Sequence, residues 1–416
     1  MRRLHISFFN RSFYPDTAAT GQLLTELCQG LVKEHNCRVS VVAGLPLVLT
    51  PDAMRGSLGC RIFRRENYQG IEILRARGTR FSRGRFLGRA TNYISYFLSA
   101  CYAGLYLDHP DIVVALTDPP IIGLAAYLAS RRFRVPFVMS YQDIFPEVGR
   151  LLEDFQSETV NRILHTVNCF LARKADRIVS IGETMRRRLI EGKGSDPERT
   201  VIIPNWVDCS DIVPGSKENT FSRATKLTNR FVVMHSGNIG LSQGLEVLID
   251  AAQDLKEYDN ITFVFVGDGV KKVALERRVQ ELGLKNVQFL PYQPKERLKE
   301  SFATADVFIV SLKRGLAGYI VPSKLYGILA AGKPYVAAVE EESEVTAITR
   351  KYECGLLADP ANASDLADKI RTLYTDRELA HWMGSNARRA ALEYDQAVQV
   401  RAYYNLFREL VGKAYR

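Results

Sequence analysis

The sequence predicts an α/β protein of two doubly wound Rossmann-like domains. Short apolar runs alternate with amphipathic stretches along 416 residues, the pattern of parallel strands covered by crossover helices. The rhythm breaks once, over a polar stretch at 205–229 that contains Pro214, Gly215 and Ser216, and then restarts. The length suits two or three domains. Hydrophobic residues at 46% and charged residues at 25% exclude global disorder and leave apolar mass for more than one core.

In the first half the strand candidates are 4–9, 38–43, 71–75, 112–115, 137–141, 177–181 and 201–203. In the second they are 231–235, 261–266, 287–289, 307–310, 335–339 and 355–357. These place an amino-terminal domain at 1–205, a linker at 206–229 and a carboxy-terminal domain at 230–394. The last stretch, 387–415, has apolar residues at helical spacing and reads as one long helix or a kinked pair; its end, 395–416, is a candidate to complete the first domain. Doubly wound sheets bind ligands outside the carboxyl ends of their strands, so two of them facing each other across a cleft predict a ligand between domains.

Seven scattered cysteines without a C-x-x-C pair argue against a disulfide framework or a zinc knuckle and fit a reducing, cytoplasmic setting. The amino-terminal apolar run is too short for a signal peptide, and no stretch is long and apolar enough to predict a transmembrane helix.

Four segments at predicted strand ends carry candidate chemistry. At 236–245 (SGNIGLSQGL) a glycine-rich loop, with Gly237, Asn238, Gln243 and Gly244, joins a buried strand to a helix and lets backbone approach a phosphate or sugar. A tight turn is the plain alternative. The turn with Gly267, Asp268 and Gly269 ends the next strand, and Tyr292 lies in the LPYQ segment that ends the one after. At 318–334 (GYIVPSKLYGILAAGKP), Pro322, Ser323 and Lys324 open a small-residue helix, where free amides, a hydroxyl and an ammonium suit a diphosphate. A serine-capped helix with a solvated lysine is the alternative there.

These motifs together resemble the donor half of the family 4 glycosyltransferases, which are GT-B enzymes that use nucleotide sugars. Within that family the sequence is similar to the WbuB-like capsule, O-antigen and exopolysaccharide transferases. The amino half agrees through FYPDTAATGQ (13–22) and YQDIFPE (141–147), and Pro204, Asn205 and Trp206 match the usual approach to the linker. The resemblance implies a retaining transfer from a nucleoside diphosphate sugar, with UDP favoured and a fucosamine-type or N-acetylated sugar in view, to a polyprenyl-diphosphate-linked saccharide in cell-surface polysaccharide assembly. It implies catalytic roles for Asp143 and Lys324, and an acceptor or diphosphate loop at Asp16, Thr17, Thr20 and Gly21, for which helix capping is the alternative.

The sequence departs from the family twice. Asn238 and Gln243 stand where an arginine and a lysine are common, and Tyr319 and Gly327 stand where two glutamates are common. Lys324, with Lys313 or Arg314 nearby, is the candidate to replace the lost cations. No D-x-D triplet and no close histidine pair occurs, so no metal or other cofactor is expected.

The formal charge of +10 is concentrated. Between 55 and 89 there are ten arginines against Glu66 and Glu72, followed by an aromatic and aliphatic segment at 93–107. Arg80, Arg83, Arg85 and Arg89 are the candidate contact to an anionic membrane, giving an expected peripheral attachment to the inner face of the cell membrane. A solvated loop before a core helix is the alternative. Nucleic acid is disfavoured, because no stacking platform or binding motif accompanies the basic stretch. Two other readings stay open: a GT-B-shaped sugar-nucleotide epimerase, and a non-catalytic protein that binds a nucleotide or a lipid surface.

Overall fold

The computed structural model describes residues 3–16, 18–46, 62–79, 81, 86–152 and 157–414, without the side chains of 86, 87 and 89. The chain divides into two compact units, Met1–Pro204 with Gln396–Arg416, and Asn205–Asp395.

In the first unit the strands are β1 (His5–Phe9), β2 (Arg38–Gly44), β3 (Phe63–Tyr68), β4 (Ile71–Ala76), β5 (Ile112–Ala115), β6 (Phe137–Ser140), β7 (Arg177–Ser180) and β8 (Thr200–Ile202). They form one sheet in the order β3-β4-β2-β1-β5-β6-β7-β8. Strands such as IVVA (β5) and FVMS (β6) are buried at every position, as expected where helices cover both faces. The order turns back between β1 and β5, so the loops after these strands diverge and leave a crevice.

β3 was not among the expected strands. Its sequence, FRRENY, has no apolar run, and it pairs antiparallel with β4 at the sheet edge with its side chains half-buried or exposed. An edge strand with one partner tolerates charge that a central strand does not. The hairpin also gives three arginines of the basic segment acidic partners. Arg75 is fully buried and pairs with Glu66 at 3.0 Å, Arg64 pairs with the same carboxylate, and Arg65 pairs with Glu72 at 2.8 Å. Three of its arginines are thus held by its only two acids.

In the second unit β9 (Phe231–Ser236), β10 (Ile261–Val266), β11 (Val287–Leu290), β12 (Val307–Ser311), β13 (Tyr335–Ala338) and β14 (Gly355–Ala358) are all parallel, in the order β11-β10-β9-β12-β13-β14. Here the order turns back between β9 and β12. The helices Glu246–Asp254 and Ala363–Thr375 bury Leu248, Ile249, Leu366 and Ile370 against Phe263, Phe265 and Ile309 of the sheet.

The segment 206–229, expected as a linker, lies in the second unit. It holds a short helix, Thr220–Ala224, capped reciprocally by Asn219 and Ser222, and the Asn219 amide also donates to Glu300 O at 3.0 Å. At the far end of this unit the helix Arg377–Ala391 gives way to a single tight turn, Leu392–Tyr394, and the helix Gln396–Ala414 follows as part of the first unit. Tyr403 there hydrogen-bonds Ser140 of β6 at 3.0 Å, and Phe407 packs edge-on against Phe8 of β1. Val207 N donates to Tyr394 O and Cys209 N to Asp395 Oδ2, so the second unit begins and ends at one place.

Candidate active site

In the second unit the switch point gathers the predicted loops. Gly237, directly after β9, has φ +126°, a conformation that only glycine adopts readily. A Cβ there would lie 3.6 Å from Cε and Nζ of Lys324, so the bare backbone and the lysine head lie side by side. Lys324 opens the helix Lys324–Ala330, and Ser323 before it makes no capping bond with its side chain. The alternative of a serine-capped helix is therefore not what the structure adopts.

Lys324 Nζ lies 3.2 Å from Nε2 and 3.5 Å from Nδ1 of His235, the penultimate residue of β9. His235 is buried, and burial reinforced by the Lys324 charge pushes its pKa well down, so it stays a neutral neighbour. Burial pushes Lys324 itself down to about 7. Lys324 is half-buried, and no carboxylate offsets its charge among its described contacts. Such a cation gains most when an anion arrives.

The two glycine loops interlock. Gly237 N donates to Val266 O at 2.9 Å, Ile239 N to Asp268 O at 2.8 Å and Gly267 N to Leu290 O at 2.9 Å. Gly267 (φ +151°) and Gly269 (φ +157°) are required by this approach, since a Cβ on Gly269 would fall 2.3 Å from Ile239 O. Tyr292, exposed, places its hydroxyl 3.4 Å from Asp268 O. The structure therefore brings Gly237, Asn238, Asp268, Gly269, Tyr292, Pro322, Ser323 and Lys324 to the carboxyl end of one sheet.

Other expected residues meet neighbouring protein groups. Gln243 accepts from Gly240 N at 3.1 Å and donates to Ser242 Oγ at 2.8 Å, so its amide braces its own loop, which Gly244 (φ +59°) closes. Arg314 is exposed and pairs with Asp359 at 2.5 Å. At Gly327, where the family commonly has a glutamate, a Cβ would lie 2.8 Å from the Phe302 ring. Two residues here were missed from sequence. One is His235; the other is Glu340, whose carboxylate accepts from Gly315 N at 2.9 Å and Ala317 N at 3.3 Å and fixes the loop after β12. A polar residue at a strand's carboxyl end was the available signal.

In the first unit the crevice between β1 and β5 holds a second cluster. Asp118, after β5, accepts from Arg11 Nε at 3.1 Å and from Ser12 Oγ at 2.5 Å, and its backbone N–H donates to Asn10 Oδ1 at 3.2 Å. Asp143, after β6, is half-covered; burial first, and then the Asp118 charge, raises its pKa to about 7. Asp118 was not singled out in the sequence. Asp16 is buried after β1, and Gly21 packs against Ser12, where a Cβ would come within 3.2 Å. The helix Ala19–Lys33 starts after Ala18, whose side chain makes no capping bond. Thr17 lies outside the described residues. Glu147 is held at 2.8 Å by the buried Lys193.

Arg80, Arg83, Arg85 and the Arg89 side chain also lie outside the described residues. The helix that follows, Phe86–Gly104, exposes Ile94, Leu98 and Tyr102 at helical spacing, and Leu105 and Tyr106 continue the stripe. Among the described residues no helix is long and apolar enough to cross a membrane, and no group of three or more His, Cys, Asp or Glu could hold a metal ion.

Two doubly wound units of this kind are the architecture of the GT-B transferases. Residues 20–206 match the glycosyl transferase 4-like domain, and residues 216–390 match the glycosyl transferases group 1. The chain belongs to this glycosyltransferase family. It is 30% identical over 62% of its length to WbjE of Pseudomonas aeruginosa, by name a glycosyltransferase, and 32% identical over 47% of its length to WcaI of Escherichia coli, by name a glycosyl transferase of colanic acid biosynthesis. The matches span 66% and 49% of those proteins, less than two thirds of their own length. The fold is also that of Anabaena HepE, crystallised with UDP-glucose, at a TM-score of 0.72 and 20% identity over 98% of this chain and 100% of that one.

Proposed function

We propose that the protein is a retaining glycosyltransferase that moves a sugar from a nucleoside diphosphate, UDP in the first place, to a polyprenyl-diphosphate-linked saccharide in cell-surface polysaccharide assembly. The observation that carries this reading is Lys324, an ammonium short of counter-charge beside the bare backbone of Gly237. As the bond from the sugar's anomeric carbon to the diphosphate breaks, negative charge collects on the departing oxygens, and a fixed cation there lowers the barrier. The acceptor hydroxyl attacks from the same face, and its proton passes to a phosphate oxygen of the leaving group. No strong protein base is then needed. An ionised Asp143 would stabilise positive charge at the anomeric carbon, and the named loops hold the donor in position.

In this reading the cationic work falls to Lys324, so activity in the presence of EDTA is the expected result. Attachment to a membrane surface is part of the proposal. Its support is the exposed stripe Ile94, Leu98, Tyr102, Leu105 and Tyr106 and the lack of any acid from 86 to 107.

The test is a thermal-shift screen of the purified protein against UDP, GDP, dTDP and ADP, followed by transfer assays with the sugars of the nucleotide that binds. Selective stabilisation by UDP, with sugar transfer to a polyprenyl diphosphate saccharide, is expected. Donor turnover without acceptor would favour an epimerase, and binding without turnover would favour a non-catalytic protein.

A further inference from the structure

At the amino ends of β12 and β13, the opposite end of the sheet from the glycine loops, a cavity of about 500 Å³ is lined by Asp306, Lys333, Arg377, His381 and Arg388. Its charges do not balance. Asp306 is the one acid in the lining, and it is already committed: it accepts from Val232 N at 2.7 Å, pairs with Lys217 behind the cavity wall and pairs with Arg377 at 3.0 Å. Lys333 donates to Ala303 O at 2.8 Å, and Arg388 donates to the carbonyls of Cys209, Ile212 and Ala330 at 2.8–3.0 Å. Three cations of the lining, Lys333, Arg377 and Arg388, thus have one carboxylate among them, and Lys217 already draws on it.

The carbonyls account for part of this. Ala303 and Ala330 lie in the last turns of short helices, whose ends carry partial negative charge, so Lys333 and Arg388 have a capping role. Carbonyl dipoles do not neutralise a full charge, however. Burial pushes the Lys333 ammonium down to about 8; Asp306 draws it back up, and Lys217 and Arg377 push it further down. Arg377, His381 and Arg388 follow one another along a single face of the helix Arg377–Ala391, which supplies donors along that wall. The half-exposed Arg377 guanidinium, over the ring of Phe231 at 4.8 Å, has donors to spare at the mouth.

We propose that this cavity binds a phosphate group, as inorganic phosphate or as the phosphate of a small monoester, with Lys333, Arg377 and His381 as its ligands. A phosphate supplies the missing counter-charge and accepts from several donors at once. The site is separate from the glycine loops: the five residues of β12 lie between them, roughly 16 Å at 3.3 Å per residue. It does not depend on the transfer reaction proposed above.

The test is calorimetric titration of the full chain with inorganic phosphate, and in parallel with glycerol 3-phosphate. One equivalent is expected to bind, with affinity at least tenfold weaker in both Lys333→Met and Arg377→Gln, and unchanged in Lys324→Ala. Tighter binding of the ester identifies a monoester as the ligand, and equal binding identifies the phosphate group alone. No binding of either probe, binding indifferent to both cavity substitutions, or binding lost in Lys324→Ala overturns the proposal. If Lys333→Met fails to fold by circular dichroism, the more exposed Arg377→Gln decides.

Discussion

Gly267 passes so close to Gly237 that a Cβ on Gly267 would lie 2.0 Å from the Gly237 carbonyl oxygen. The contact locks the turn after β10 to the loop after β9, and Lys324 packs against that same loop. Gly267→Ala must therefore move one loop away from the other. It also forces alanine into φ +151°, so both sterics and backbone strain oppose it. The expected result is a Tm lowered by several degrees together with loss of UDP stabilisation, read in one thermal-shift experiment. An unchanged Tm would mean that the loops tolerate separation.

Lys324→Ala removes the cation while leaving the fold of the loops to Gly237 and Gly267. Loss of one preorganised charge-stabilising group typically costs roughly 10²-fold to 10³-fold in kcat. A drop of that size in kcat/KM, with Tm held or raised, is expected. A change confined to KM would assign Lys324 to ground-state binding only.

UDP affinity should depend on pH through the same residue. Burial sets the free ammonium near pH 7, and a bound diphosphate raises its proton affinity. Binding therefore takes up a proton above about pH 7. The affinity should be greatest below that pH and weaken above it, by up to tenfold per pH unit until the pKa of the complex is reached. Calorimetry in two buffers of different ionisation enthalpy measures the uptake directly.

Asp143→Asn should separate stability from function. Burial and Asp118 raise the Asp143 pKa to about 7, so at pH 8 the fold carries an ionised carboxylate in a place that disfavours it. The native state holds its proton more tightly than the unfolded chain, so the contribution of this residue is largest at low pH and is lost as pH rises through 7. The neutral amide should raise Tm at pH 8, raise it by less at pH 5, where only part of that contribution has been lost, and lower kcat. Equal Tm values at pH 8 would show that the site is better hydrated than its surroundings suggest.

Leu98→Glu with Leu105→Glu tests the membrane surface, because both side chains are more than half exposed and neither supports the core. Sedimentation with phosphatidylglycerol vesicles should be largely lost while Tm holds. Retention of binding would shift attention to the arginine-rich segment before this helix.

The parallel strands were legible because each is a short, nearly unbroken apolar run between turn residues, as in IVVA (β5) and ITFVFV (β10). β3 was not, because at a sheet edge FRRENY needs only one partner and keeps its charges in reach of Glu66 and Glu72. In the candidate site the loops could be read from their glycines, since a positive φ or a close backbone approach leaves a residue type behind it. Partnership could not. That Lys324 sits by His235, that Gln243 turns inward and that Arg314 pairs with Asp359 depend on distances across 45 to 89 residues of chain, or on which way a side chain rotates.

The return of Gln396–Ala414 to the first unit also has a consequence for synthesis. When the ribosome has made β8, the first sheet has all its strands but lacks the helix that supplies Tyr403 and Phe407. The second unit, unbroken in sequence and tied at its ends by Val207 and Asp395, has every part it needs before that helix emerges. The half that is begun first is thus finished last, reversing the usual amino-to-carboxyl order of domain completion. A nascent chain halted at residue 395 would carry a closed second unit behind a first one whose Phe8 and Ser140 still wait for their partners.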